Sequence, residues 1–161
     1  MKPWSRLAIA FLFAASWTTQ ALAAELVARV VAIHDGDTLT VLLEQKQVRI
    51  RLIDIDAPEL KQPFGQQSRK ALASLCARQT ATVLSYGQDR YGRTLGRVTC
   101  SGINANADQV RRGMAWVFER YAPKDSPLYA IQRQAQASKL GLWVDPRPIA
   151  PWDWRIKRTY R

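Results

Sequence analysis

Residues 26–54 read LVARVVAIHDGDTLTVLLEQKQVRIRLID. Leu26 to Ile33 is rich in β-branched residues and reads as a strand. His34, Asp35 and Gly36 form a turn, and Thr38 to Leu43 a second strand. Gln45 to Gln47 is polar, as a hairpin end should be. Val48 to Asp54 alternates: Val48, Ile50 and Leu52 share one face, Arg49, Arg51 and Ile53 the other. Arg51 therefore points away from the apolar side. Three strands with short connections make a meander.

Outward from that stretch, Pro58 and Pro63 bracket a loop. Gln66 to Ala77 has helical spacing, with Ala71, Leu72, Leu75 and Cys76 on one face. Thr80 to Tyr86 and Arg93 to Cys100 read as strands around a polar turn at Gly87 to Gly92. Asn106 is the expected N-cap of a short helix, Ala107 to Arg112, stopped by Gly113. Leu128 to Leu140 is helical and capped by Gly141. Residues 144–161 are rich in Pro, Trp and Arg, show no period, and are expected to be a tail. The pattern predicts an α+β fold: a five-stranded OB-fold β-barrel with three helices packed on it. The domain is expected over residues 24–143.

Residues 1–23 are set apart. Lys2 and Arg6 precede an apolar run from Leu7 to Trp17, and Ala21, Leu22 and Ala23 read as a small-residue cleavage site. The run is shorter than the ~20 residues a bilayer span needs. The expectation is a secretory signal peptide cleaved after Ala23, and a secreted or periplasmic protein. Removing it lowers the net charge from +11 to +9. That charge favours polyanions, whether nucleic acid, an acidic polysaccharide or a membrane surface. Cys76 and Cys100 are the only cysteines; an exported chain invites a disulfide between them, the alternative being two buried free thiols. Two cysteines and the single His34 exclude a four-ligand zinc site.

Four segments carry the chemistry. In Asp35-Gly36-Asp37-Thr38, two carboxylates flank a tight turn and could hold a hard cation; taken alone, the segment reads more simply as an ordinary hairpin turn. It is no EF-hand loop, because position twelve from Asp35 is Lys46, where a glutamate is needed. From Arg51 to Glu59, RLIDIDAPE supplies a cation, a metal carboxylate at Asp56 and a candidate base at Glu59; taken alone, the segment reads more simply as a solvated charged loop. Pro58 biases Ala57 to an extended backbone, so its carbonyl has a defined direction. In Asp89 to Arg93, DRYGR, Gly92 frees the turn and Arg93 presents a donor fork suited to phosphate, although alone the segment reads more simply as a basic β-turn. Trp116, Phe118, Arg120, Tyr121, Lys124 and Tyr129 mix aromatic and basic side chains suited to a single nucleic-acid strand. Of the aromatics, Trp116 and Phe118 are assigned to the core, while Tyr91 and Tyr121 are kept as base-side candidates.

In order and spacing, DGDT, R-x4-D-x-P-E, DRYGR and VRRGMA together resemble the thermonuclease, or staphylococcal-nuclease-like, family from about Leu26 to Trp143. The resemblance implies an OB-like barrel and a calcium-dependent endonuclease that cuts DNA and RNA to leave 3′-phosphates. It puts the calcium ligands on Asp37, Asp56 and the Ala57 carbonyl, with Asp35 in the outer shell. The general base falls on Glu59, the phosphate-binding arginines on Arg51 and Arg93, and nucleotide contacts on Tyr91 and Tyr121. Ala57 replaces a frequent threonine, and Glu119 stands where well-known members have tyrosine, which bears on substrate preference rather than on the reaction. A monomer is the default expectation. The rival readings are a non-catalytic OB-fold nucleic-acid-binding protein, and a basic envelope protein for which Asp37 and Asp56 would have no use.

Overall fold

The computed structural model describes residues 24–159; the leader expected over residues 1–23 lies outside the described residues. Five long strands form the barrel: β1 (Ala24–Ile33), β2 (Thr38–Leu43), β3 (Lys46–Leu52), β5 (Thr80–Gln88) and β6 (Thr94–Cys100). The order β3-β2-β1-β5-β6 is antiparallel until β6 closes on β3 in parallel, pairing Ile50 with Thr94 and Leu52 with Gly96. Closure demands a glycine there. A Cβ on Gly96 would lie 2.7 Å from Val83 Cγ1. The inward set is Val30, Leu39, Val41, Ile50, Leu52, Val83 and Val98, all buried, so the expected alternation of β3 holds.

One short piece, β7 (Ile103–Asn104), extends the sheet beside β6, while β4 (Ile55–Asp56) and β8 (Trp116–Val117) pair as a separate two-stranded sheet. Helix α1 (Gly65–Cys76) buries Leu72 and Cys76, and Cys76 is bonded to Cys100 at the end of β6, their Cα atoms 5.3 Å apart. Helix α2 (Ala105–Arg111) starts two residues earlier than expected. Its N-cap is Asn104, whose side chain accepts the Ala107 amide at 2.8 Å. Asn106 is instead buried, accepting from the Val98 amide and donating to the Ile53 carbonyl. Helix α3 (Leu128–Ala137) packs on α2.

The three expected helices become four. Residues 151–159 form α4 (Pro151–Thr159), in the stretch expected as a tail. Proline opens it, as suits a first helical position. Aromatic packing holds it: the Trp152 ring stacks on Phe118 at 5.2 Å and meets Trp116 edge-on at 5.8 Å. Trp116 and Phe118 thus join an aromatic layer with Trp143 and Trp152, beside the barrel core rather than in it. Among the described residues, no helix is long and apolar enough to cross a membrane.

Candidate active site

The DGDT turn is fixed from below by α1. A Cβ on Gly36 would lie 1.7 Å from Ser68 Oγ and 2.7 Å from Ala57 Cβ, so only glycine fits. The Gly36 carbonyl accepts from the buried Gln109 amide at 2.6 Å. From this turn Asp37 reaches across to the DAPE loop, where its Oδ2 accepts the Ala57 amide at 2.6 Å. Asp35 Oδ1 accepts the Asp37 amide.

Arg51 stands at the end of β3, on the face opposite Ile50 and Leu52. Its Nη1 donates to the carbonyls of Leu52 (2.6 Å) and Ile55 (3.0 Å), which fixes the guanidinium. Its Nη2 then meets two carboxylates, Asp56 Oδ1 at 3.0 Å and Asp37 Oδ2 at 3.2 Å. Burial pushes the Asp37 carboxyl up to about 7; Arg51 opposes this and Asp35 adds to it. Burial also raises Asp56, against hydrogen bonding from Arg155.

Arg93 lies one residue before Thr94, the partner of Ile50, so the parallel closure sets it beside β3, and it lines the same cleft as Arg51. Asp89 holds it: Oδ2 accepts from Nε at 2.7 Å, and Oδ1 accepts the Arg93 and Tyr91 amides. Burial would raise Asp89, but these hydrogen bonds outweigh it and its carboxyl is lowered.

One cleft of about 920 Å³ gathers Asp35, Asp37, Arg51, Asp56, Ala57, Glu59, Tyr91, Arg93 and Tyr121, that is, all the candidate site residues apart from the cysteines. Tyr91 and Tyr121 sit on its rim, 68% and 65% exposed, with Arg90 and Arg120 near their rings. Lys124, Tyr129 and Glu119 lie apart, in a shallower depression.

The cleft also holds residues the sequence reading missed. Arg97 clamps the buried Asp54 at 2.8 Å and lies over Tyr86. Arg155, from α4, forks onto Asp56 (2.6 and 3.3 Å) and bonds Glu59 at 2.9 Å. These bonds outweigh its burial and hold the guanidinium charged, above the usual arginine range. Proline at 151 followed by Asp153 was the available helix-start signal. Nothing in the sequence marks Arg155 as a partner of Glu59, 96 positions away.

Among the described residues, no group of three or more His, Cys, Asp or Glu side chains is gathered as a complete metal site. Asp37 and Asp56 nonetheless meet at one guanidinium nitrogen, and burial strips the Asp37 carboxyl of solvent. An all-oxygen pair of this kind fits a hard cation whose remaining ligands are main-chain, water or phosphate oxygens. Six arginines and six carboxylates line the cleft, so with all ionised its own charge balances. A divalent cation would tip it positive, toward an anionic substrate.

The model of the family described as staphylococcal nuclease homologue matches residues 49–145. A protein of Escherichia coli O157:H7 named an uncharacterized endonuclease is 46% identical over 148 residues, covering 91% of this chain and 95% of that protein. A micrococcal nuclease of Shigella flexneri is 44% identical over 136 residues, 78% of each chain. A probable staphylococcal-like nuclease of Oryza sativa is 37% identical over 110 residues, 68% of this chain and 33% of that protein.

Proposed function

The chain belongs to the family of staphylococcal nuclease homologues, and we propose that it is a calcium-dependent endonuclease acting on DNA and RNA. Kinship establishes a nuclease hydrolase; the ion, the products and the residue roles are our reading. The observation that carries it is the gathering of Arg51, Glu59 and Arg93 in one cleft with two carboxylates that share a guanidinium nitrogen.

In this reading Glu59 takes a proton from a water whose oxygen attacks phosphorus. Such a base contributes about 10²–10⁴-fold. The bond from phosphorus to the 5′ oxygen breaks, that oxygen leaves and is protonated, and the product ends in a 3′-phosphate. Arg51 and Arg93 donate to the phosphoryl oxygens as charge builds; one preorganised donor of this kind is worth about 10²–10³-fold. Arg51 is pre-set by two main-chain carbonyls and Arg93 by Asp89, so little reorganisation accompanies the reaction. Tyr91 and Tyr121, on the rim, offer faces for bases. Asp37, Asp56 and the Ala57 carbonyl would hold calcium, with Asp35 in the outer shell. The bound ion would supply charge neutralisation and a template for phosphate and water.

We also propose that the protein acts as a monomer in the periplasm or outside the cell, after cleavage following Ala23. The motivation is the charged start, apolar run and small-residue site of residues 1–23. N-terminal sequencing of the exported protein should begin at Ala24; an intact Met1 would overturn cleavage.

The test of function incubates the purified protein with plasmid, single-stranded DNA and RNA, in calcium or in excess chelator. Degradation confined to calcium is expected. Cutting that survives the chelator would overturn the metal dependence, and tight binding without cutting would favour a non-catalytic module.

A further inference from the structure

We infer that Arg155 is an intramolecular latch: it competes with the divalent ion for Asp56 and ties down Glu59 until the ion displaces it. This rests on the calcium reading above. Asp56 is nearly closed to solvent, and both its oxygens are engaged by arginine. Oδ2 accepts from Arg155 Nη2 at 2.6 Å, while Oδ1 accepts from Arg155 Nη1 at 3.3 Å and Arg51 Nη2 at 3.0 Å. A divalent ion on those oxygens would face two guanidinium charges at contact range. One of them has to leave.

The two arginines differ in which can. Arg51 is pinned to two main-chain carbonyls, and its side chain is 13% exposed. Arg155 stands at the cleft edge, its side chain 45% exposed. The helix carrying it is docked by other contacts, the Trp152 stack on Phe118 and a 2.6 Å bond from Gln62 Nε2 to the Ile149 carbonyl. The Arg155 side chain can therefore swing out while α4 stays seated. The same nitrogen that holds Asp56 Oδ1 also holds Glu59 Oε1 at 2.9 Å. Release of Asp56 thus frees the carboxylate that must accept the water's proton. Metal binding and activation of the base become one event.

A latch closed about nine-tenths of the time weakens apparent calcium affinity about tenfold. Calorimetric titration of calcium into wild type and Arg155→Met, without substrate, reads this directly. Methionine keeps the stem and removes the charge, and an unchanged thermal melt reports that α4 remains docked. Tighter calcium binding in Arg155→Met, by at least about threefold, is expected. Equal or weaker affinity overturns the latch alone; calcium binding to neither protein overturns the metal reading with it.

A second measurement needs no folded variant. In ¹⁵N-arginine-labelled wild type, calcium should move the Arg155 Nε resonance toward the value of a solvated side chain. An unmoved resonance at calcium saturation overturns the proposal.

Discussion

Asp37 Oδ2 accepts the Ala57 amide at 2.6 Å, a hydrogen bond that stitches the DGDT turn to the DAPE loop across 20 positions of sequence. A segment that alone reads as a hairpin turn and one that alone reads as a charged loop become one site through that contact. Its geometry depends on Gly36, wedged against Ser68 and Ala57.

Gly36→Ala should therefore displace the turn or α1. The added methyl meets Ser68 Oγ, itself held by the Met114 carbonyl at 2.6 Å, so relief by simple rotation is blocked. A loss of about 1–3 kcal/mol is expected from overpacking, together with weaker calcium binding. Denaturant unfolding and calorimetry check this; a variant with wild-type stability would contradict the wedge.

The metal-free protein should carry a pH signature from Asp37. Its carboxyl sits at about 7 when folded against 3.8 as a free side chain. Between those values the unfolded chain is ionised while the folded one keeps its proton. Stability from this group is thus undiminished at low pH and is lost as pH rises from about 4 to about 7. Asp37→Asn cannot ionise and lacks this loss. In calcium-free buffer the melting temperature of the variant should gain on wild type from pH 4 to pH 8. A constant difference would refute the shift.

The Cys76–Cys100 bond joins the end of α1 to the end of β6, closing a loop of 24 positions. Loops of that size typically gain about 2–4 kcal/mol from the crosslink. Reduction should lower the unfolding midpoint accordingly, and an unshifted midpoint would show that the bond constrains nothing. Both residues lie away from the cleft lining, so calcium affinity of the reduced, folded protein should hold.

Substrate binding should be steeply salt-dependent. Phosphate contacts by the cleft arginines release counterions. The Kd of an uncleaved oligonucleotide should rise about tenfold or more between about 50 and 200 mM salt. It should also tighten when calcium adds positive charge to the cleft. A flat salt response would exclude a polyanion as ligand.

Much of this was legible in the chain because strand periodicity is a strong signal. In β3, Ile50 and Leu52 fall inward and Arg51 outward, as alternation requires. Motif order located the acids and arginines, since each lies at a strand end or turn that the period marks out. What stayed hidden depends on packing between distant segments. Asn104 and Asn106 are equal as N-cap candidates by type; the barrel's need for a buried amide at Val98 and Ile53 decides between them. Residues 151–159 are held as α4 by ring stacking of Trp152 on Phe118, a contact between segments that the local pattern does not display. Without α4 in view, Arg155 had no place in the site. Trp116 and Phe118 looked like barrel core for the same reason: their partners, Trp143 and Trp152, come from the far end of the chain.

The most direct test measures cleavage by Glu59→Gln at saturating calcium and substrate, with calcium binding and the melt monitored alongside. Glutamine keeps the shape and cannot take the water's proton, so the rate should fall by at least about 10²-fold, with the fold intact and substrate still bound. A Glu59→Gln protein that cuts at the wild-type rate would contradict the assignment of Glu59 as the base.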